Sequence, residues 1–210
     1  MYTLFYAPGS ASMAPHAALE EVGAPYQLKR VEIGRDKPRD PEYLKLNPYG
    51  RVPTLAISGE GSIYESAAIT MFLADRHPQA KLAPAANEAA RGPYSQWLTF
   101  LTNTLQEANL LHYYSDRYTT RADQADGIKA KAAEQIDSIW SNIDESLSRK
   151  GPYLLGDRFS AADLYLHMLY SWYEPLDKLA ARCPNVKRCA DLVVQRPAVK
   201  RMLQQNDMAA

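Results

Sequence analysis

The hydrophobic rhythm of this chain changes once, near residue 80, and that change limits what it can build. Before it, apolar residues come in short runs, some alternating as strands do. After it, they recur every three to four positions, the spacing of one helix face. Ile128, Ala132, Ile136, Trp140, Ile143 and Leu147 keep that spacing over several turns, until Gly151-Pro152 breaks it. Trp97, Leu101, Leu105 and Ala108 keep it in the helix before. One layer cannot serve both rhythms, so the chain is expected to fold as two differently built parts.

The first part reads β-α-β-α-β-β-α. Tyr2–Tyr6 is a strand closed by Pro8-Gly9, and Ser12–Val22 is a helix that Ser10 or Ser12 can cap and Gly23 ends. Tyr26–Ile33 alternates as a strand, and Pro41–Leu46 is a short helix. Thr54–Ile57 and Ser62–Tyr64 form a hairpin, followed by a helix over Glu65–His77. In the second part, Ser160 to Asp163 is a capping-box pattern that opens an apolar helix. The predicted division is an α/β domain over 1–78, a linker over 79–87 rich in proline and alanine, and an all-α domain over 88–210.

Charge and cysteine content narrow the function classes. Lys plus Arg and Asp plus Glu both total 24 in 210 residues. A neutral chain has no overall field to draw in nucleic acid or an anionic membrane. The cluster Arg35, Lys37 and Arg39 is offset by Asp36 and Asp40 and reads as a solvated loop. No apolar run approaches a membrane span, and the N-terminus lacks the pattern of a secretory leader. The two cysteines, Cys183 and Cys189, make neither a CxxC motif nor a disulfide framework. The expectation is a cytoplasmic protein. The histidines have no metal-ligand spacing, so no metal is expected. There is no phosphate-binding glycine loop and no nucleophile elbow.

Four local features can carry chemistry, although each taken alone also fits an ordinary structural role. Tyr6 to Ser12 places hydroxyls at a strand-to-helix turn, beside a helix N-terminus that favours an anion. In Asn47 to Leu55, Pro53 directly precedes a strand, where a cis bond would expose the backbone of Val52 to a peptide-like ligand. Glu65 and Ser66 open a helix after a strand, and can receive an ammonium and a carboxylate together. The helical part is rich in aromatics, including Tyr113, Tyr114, Tyr118, Tyr165, Tyr170, Trp172 and Tyr173, which suit an apolar pocket.

In this order and at these positions, the four features resemble the glutathione transferase family over essentially the whole chain. The resemblance rests on LFYAPGSAS, NPYGRVPTL, YESAAITMFLADRHP and GDRFSAADLYL, and is closest to bacterial beta-type members. It implies a thioredoxin-like N-terminal domain, a helical C-terminal bundle and a homodimer active in detoxification. It implies glutathione lying along Val52-Pro53, with Pro53 cis, and its γ-glutamyl end at Glu65 and Ser66. Asn103 would reach a glutathione site at the dimer interface. Met13, Tyr113, Tyr114, Tyr170 and Tyr173 would line the pocket for an apolar electrophile. Ser160 and Asp163 would be a structural folding box.

One departure bears on the chemistry. Beta-type members carry a cysteine in the segment where this chain has Ala11. Other classes use a serine just after Pro-Gly or a tyrosine near the end of the first strand, here Ser10 and Tyr6. The expected order of thiolate partners is Ser10, then Tyr6, then Ser12. Lowering a free thiol from about 8.5 by two units takes roughly 2.7 kcal/mol. One hydroxyl bonded to a charged group supplies about 1.5–3 kcal/mol, and a helix end up to about 1. A carrier or regulatory protein of the same fold, and a glutathione-dependent isomerase or dehalogenase, are the alternative readings.

Overall fold

The first part of the chain forms a mixed sheet. A computed structural model describes residues 1–34 and 37–208. The strands are β1 (Tyr2–Tyr6), β2 (Tyr26–Arg30), β3 (Thr54–Ile57) and β4 (Gly61–Tyr64), in the order β2-β1-β3-β4. β1 and β2 are parallel, and the other two pairings are antiparallel. The connections are α1 (Met13–Val22), α2 (Pro41–Leu46) and then α3 (Ser66–Arg76) after β4. This is the βαβαββα order of a thioredoxin-like domain. Leu4, Leu19, Leu55, Ile69 and Leu73 are fully buried in it. β2 stops at Arg30, three residues short of the alternation in the sequence, and Ile33 is 42% exposed.

α1 starts at Met13 rather than the expected Ser12. Of the two serines, Ser10 makes the capping bond, its Oγ accepting from Ser12 N–H at 3.2 Å, whereas Ser12 is already helical and its side chain makes none. The helix ends as its sequence predicts, with Gly23 left-handed at φ 65°.

Two compact units are present. The first comprises Met1–Arg91 together with the segment that begins at Leu192, and the second is Gly92–Asp191. The sequence reading gave the whole of 88–210 to the helical part. Within that range, α10 (Pro197–Gln205) packs on α1 and groups with the first unit. His16 explains the attachment. It is fully buried, its Nε2 donates to Gln205 Oε1 at 2.8 Å, and its Nδ1 accepts from Asn206 Nδ2 at 3.0 Å. Arg196 pairs with Glu21 and Arg201 with Glu20. The segment read as a linker is held down as well. Leu82 and Pro84 are buried, and Arg91 donates to Pro84 O at 3.0 Å and Asp75 Oδ1 at 2.6 Å.

The second unit is helical. α4 (Arg91–Phe100) runs through a π-helical stretch, Leu101–Gln106, into α5 (Glu107–Tyr113). α6 (Ala125–Lys150) buries the predicted stripe from Ala132 to Leu147 and adds Ile139, while Ile128 is only half-buried. In α4, Tyr94 and Leu98 are buried and Trp97 is half-buried, one step off the expected face. α7 (Ala161–Tyr170) is buried along its whole length, and α8 (Leu176–Arg182) and α9 (Pro184–Val194) follow it. Among the described residues, no helix is long and apolar enough to cross a membrane.

Candidate functional site

The sheet register gathers three of the four predicted features at one end. Phe5 pairs with Thr54, and Thr54 with Tyr64. Tyr6, Pro53 and Glu65 are the next residues in sequence beyond these pairs, so they lie at the same end of the sheet. The β1–α1 turn leaves from this end of the sheet. Tyr6, Ser10, the Val52-Pro53 peptide and the start of α3 therefore share one edge of the first unit.

The Val52-Pro53 peptide is cis, as expected. Among the described residues, the N–H and C=O of Val52 have no hydrogen-bond partner. Polar groups hold the turn from beneath. Asn47 is buried, and its Nδ2 donates to Arg51 O at 2.8 Å and Thr54 Oγ1 at 3.1 Å. The Tyr43 hydroxyl donates to Arg51 O and lies 2.9 Å from Thr54 Oγ1. Gly50 has φ 61°, and a Cβ there would lie 2.8 Å from Arg39 Cγ.

Arg39 is the residue that sequence reasoning missed. Arg35 and Asp36 of its cluster lie outside the described residues, and Lys37 pairs with Glu32 at 2.8 Å. Arg39, though, is half-buried and donates to Gly50 O at 2.7 Å, Glu32 O at 2.8 Å and Lys37 O at 3.0 Å. It clamps the strand-to-helix loop to the turn before Pro53. A guanidinium with several carbonyl partners has no signature in sequence spacing.

Glu65 has φ 74°, one of three positive values on non-glycine residues among those described. Such a backbone costs of order 1–3 kcal/mol and tends to mark a functional position. Its side chain is exposed and makes no capping bond, so its carboxylate faces solvent at the start of α3. Ser66 is buried as the first residue of that helix.

The β1–α1 turn holds a compact hydroxyl cluster. Ser10 Oγ donates to Ala7 O at 2.7 Å and lies 2.8 Å from Ser12 Oγ. Ser12 Oγ reaches the same carbonyl at 3.1 Å, and Ser12 N–H donates to Ser10 Oγ at 3.2 Å. Ser10 is half-buried, whereas Ser12 and Met13 are fully buried. Ser12 in this conformation does not meet a ligand, and Met13 is core rather than pocket wall. Tyr6 is half-buried, its ring set edge-on to His16, and its hydroxyl has no partner among the described residues. The first turn of α1 contains no acidic residue.

In the second unit the predicted aromatics divide. Tyr113 is 45% exposed and Tyr114 37% exposed. The Tyr113 hydroxyl donates to Trp172 O, and the Arg117 guanidinium lies over the Tyr114 ring. Tyr170 is buried edge-on against Trp140. The Tyr173 hydroxyl donates to Asp137 Oδ1 at 2.8 Å, beside Arg182. Tyr170 is thus core, and Tyr173 is tied into an ion-pair network. Asn103 is exposed on the π-helical stretch. Among the described residues, no group of three His, Cys, Asp or Glu side chains is placed to hold a metal.

Comparison with known proteins agrees with this arrangement. Residues 1–75 match the model of the glutathione S-transferase N-terminal domain, and residues 102–206 that of the C-terminal domain. Glutathione S-transferase GstA of Escherichia coli O157:H7 is 25% identical over 198 residues, which are 94% of each chain. The solved structure of a glutathione transferase homolog from Sulfitobacter, with bound glutathione, superposes with TM-score 0.88 at 28% identity. That match covers 100% of this chain and 99% of the other. A bacterial beta class glutathione S-transferase from Sphingomonas chungbukensis gives 0.84 at 28% identity, covering 99% of this chain and 100% of that one. With both domain models matched and the cis-proline turn, the β1–α1 turn and the start of α3 meeting at one sheet edge, the chain belongs to the glutathione S-transferase family.

Proposed function

We propose that this protein is a glutathione transferase that holds glutathione as thiolate at the β1–α1 turn and directs it at an electrophilic carbon of an apolar substrate. The sulfur forms a bond to that carbon, the leaving group departs with its electron pair, and the thiol proton goes to solvent. The observation that supports the reading best is the shared sheet edge. It sets the backbone N–H and C=O of Val52, without a partner among the described residues, between hydroxyls on one side and Glu65 with Ser66 on the other. A γ-linked tripeptide needs those three elements: backbone pairing for its middle residue, charge at its γ-glutamyl end, and a donor at its sulfur.

Each residue then has a role. Val52 pairs with the cysteinyl backbone of glutathione, and Pro53 shapes the turn. Glu65 receives the γ-glutamyl ammonium, and Ser66 with the first N–H groups of α3 receives its carboxylate. Ser10 donates to the thiolate. Its hydroxyl must leave Ala7 O to do so, a neutral bond of about 0.5–1.5 kcal/mol exchanged for a charged one of about 1.5–3. Tyr6 is the second candidate donor. Of the predicted pocket residues, the exposed Tyr113 and Tyr114 are retained for the apolar substrate. Glutathione is the co-substrate, no metal takes part, and Asn103 acts from a partner copy in a homodimer. The setting is cytoplasmic and the role detoxification.

The test is glutathione conjugation of a chloronitroaromatic across pH. Ser10→Ala is expected to raise the apparent pKa of the bound thiol by about one unit and lower kcat/KM about 10-fold near neutral pH. If Ser10→Ala and Tyr6→Phe both leave the rate unchanged, this mechanism fails. Glutathione binding without turnover would favour a carrier. Turnover that returns glutathione unchanged would favour an isomerase.

A further inference from the structure

Ser12 stands apart from the other hydroxyls at the turn. It is fully buried, so it does not touch a ligand, yet its Oγ sits 2.8 Å from Ser10 Oγ and 3.1 Å from Ala7 O. The Ala7 carbonyl belongs to a buried residue and is within reach of three donors: Ser10 N–H at 3.3 Å, the Ser10 hydroxyl at 2.7 Å and the Ser12 hydroxyl. A carbonyl has two lone pairs, so one donor is surplus. A cluster with one donor too many can give one away without leaving the carbonyl short.

We propose that Ser12 is a positioning residue that frees the Ser10 hydroxyl for the glutathione sulfur by taking its place on the Ala7 carbonyl. The inference rests on the glutathione transferase reading above. In the resting arrangement the Ser10 proton points at Ala7 O. When a thiolate arrives, that proton turns outward. Ser12 Oγ–H moves fully onto Ala7 O, which keeps Ser10 N–H as its other donor. Ser10 Oγ still accepts from Ser12 N–H at 3.2 Å, so it stays oriented as its proton turns. Without the Ser12 hydroxyl, Ala7 O would lose a donor whenever Ser10 turned outward. Ala7 O would then keep only the long bond from Ser10 N–H at 3.3 Å, and that lost hydrogen bond would hold the Ser10 proton inward. Ser12 therefore acts on the sulfur only through Ser10.

The test titrates the thiol of glutathione bound to wild type, Ser12→Ala, Ser10→Ala and the double variant, by thiolate ultraviolet absorbance. Kcat/KM with a chloronitroaromatic is followed in parallel. In Ser12→Ala the thiolate fraction below the thiol pKa falls about 3- to 10-fold, the worth of one neutral hydrogen bond, while the affinity for glutathione holds. In the Ser10→Ala background the same change has no further effect. Ser12→Cys keeps the side chain nearly its size and weakens the donor, so it lies between wild type and Ser12→Ala even if the alanine variant folds poorly. An unchanged thiol pKa in folded Ser12→Ala overturns the proposal. So does an effect of the same size with Ser10 absent. If Ser10→Ala itself leaves the pKa unmoved, the assignment of Ser10 fails and the Ser12 inference with it. If only Ser10→Ala moves it, Ser12 alone is refuted.

Discussion

α1 and α7 both begin at a serine within a cluster of hydrogen bonds, but they treat their N-termini oppositely. At α7, Ser160 Oγ accepts from Ala162 N–H, and Asp163 Oδ2 accepts from Ser160 N–H at 2.8 Å. Asp163 Oδ1 accepts from Leu154 N–H at 2.8 Å, and Ser160 and Asp163 are fully buried. This helix carries its own anion, sealed in the core. At α1 the first turn has no acid, the serine hydroxyls converge on a carbonyl, and Ser10 is half exposed. A helix end with no carboxylate of its own, reached through the half-exposed Ser10, favours an anion brought from outside. A serine near a helix start is structural in one unit and a candidate binding group in the other. The difference is whether an internal carboxylate occupies the helix end.

Removing the sealed anion is expected to have the largest effect. Asp163→Ala leaves the N–H groups of Leu154 and Ser160 buried without acceptors, a loss of about 3–5 kcal/mol in urea unfolding. The carboxyl also couples folding to pH. Burial pushes its pKa up from 3.8 to about 6, so its contribution is full below about pH 4 and is lost as pH rises to 6. His167, buried in the same helix with neither ring nitrogen bonded to any described residue, runs the other way. Burial lowers its pKa from 6.5 to about 4, so its contribution is full above pH 6.5 and is lost as pH falls to 4. Each is worth about 3 kcal/mol, and in wild type they nearly cancel. His167→Leu should therefore lose stability from pH 4 to 6.5, and Asp163→Asn should gain it. Equal pH slopes in wild type and His167→Leu would refute the opposed pair.

Next in size is the change that makes α1 resemble α7. In Ser10→Asp the carboxylate is placed to accept Ser12 N–H and so occupies the open helix end. We expect a fall of about 100-fold in kcat/KM with glutathione from repulsion of the thiolate. Activity kept within a few-fold of wild type would mean that the helix end is not where the sulfur sits.

The contrast also shows what the sequence made legible. The capping box at Ser160 and Asp163 is a local pattern, and the structure forms it as read. The order of strands and helices was equally local, and it held to within a few residues. The gathering of Tyr6, Pro53 and Glu65 at one edge needed a register, which short runs do not specify. The resemblance to a known family supplied that expectation. Burial was the least legible property. Met13, Tyr170 and Ser12 look like neighbours of a ligand in the sequence, and the core takes all three. The attachment of α10 to α1 through His16 depends on contacts across more than 180 residues, beyond any periodicity.

The smallest effect is expected at the two cysteines, and it bears on where a reactive sulfur comes from. Cys183 and Cys189 are fully buried, and burial raises both thiols above their ordinary pKa. Cys189 is held up further by Asp163, whose Oδ1 lies 3.8 Å from its sulfur. A thiolate is the nucleophilic form, so neither side chain is poised to attack a substrate or a disulfide. A thiol reagent at pH 8 should label neither cysteine in the native protein and both in urea. Cys183→Ala should keep kcat/KM within about twofold of wild type, and Cys189→Ala should do the same at a cost of about 1 kcal/mol in stability. A much larger loss of activity in either variant would place a protein sulfur in the chemistry. If both hold, the sulfur that reacts enters with the ligand, at the one helix end of this pair that the chain leaves without an anion of its own.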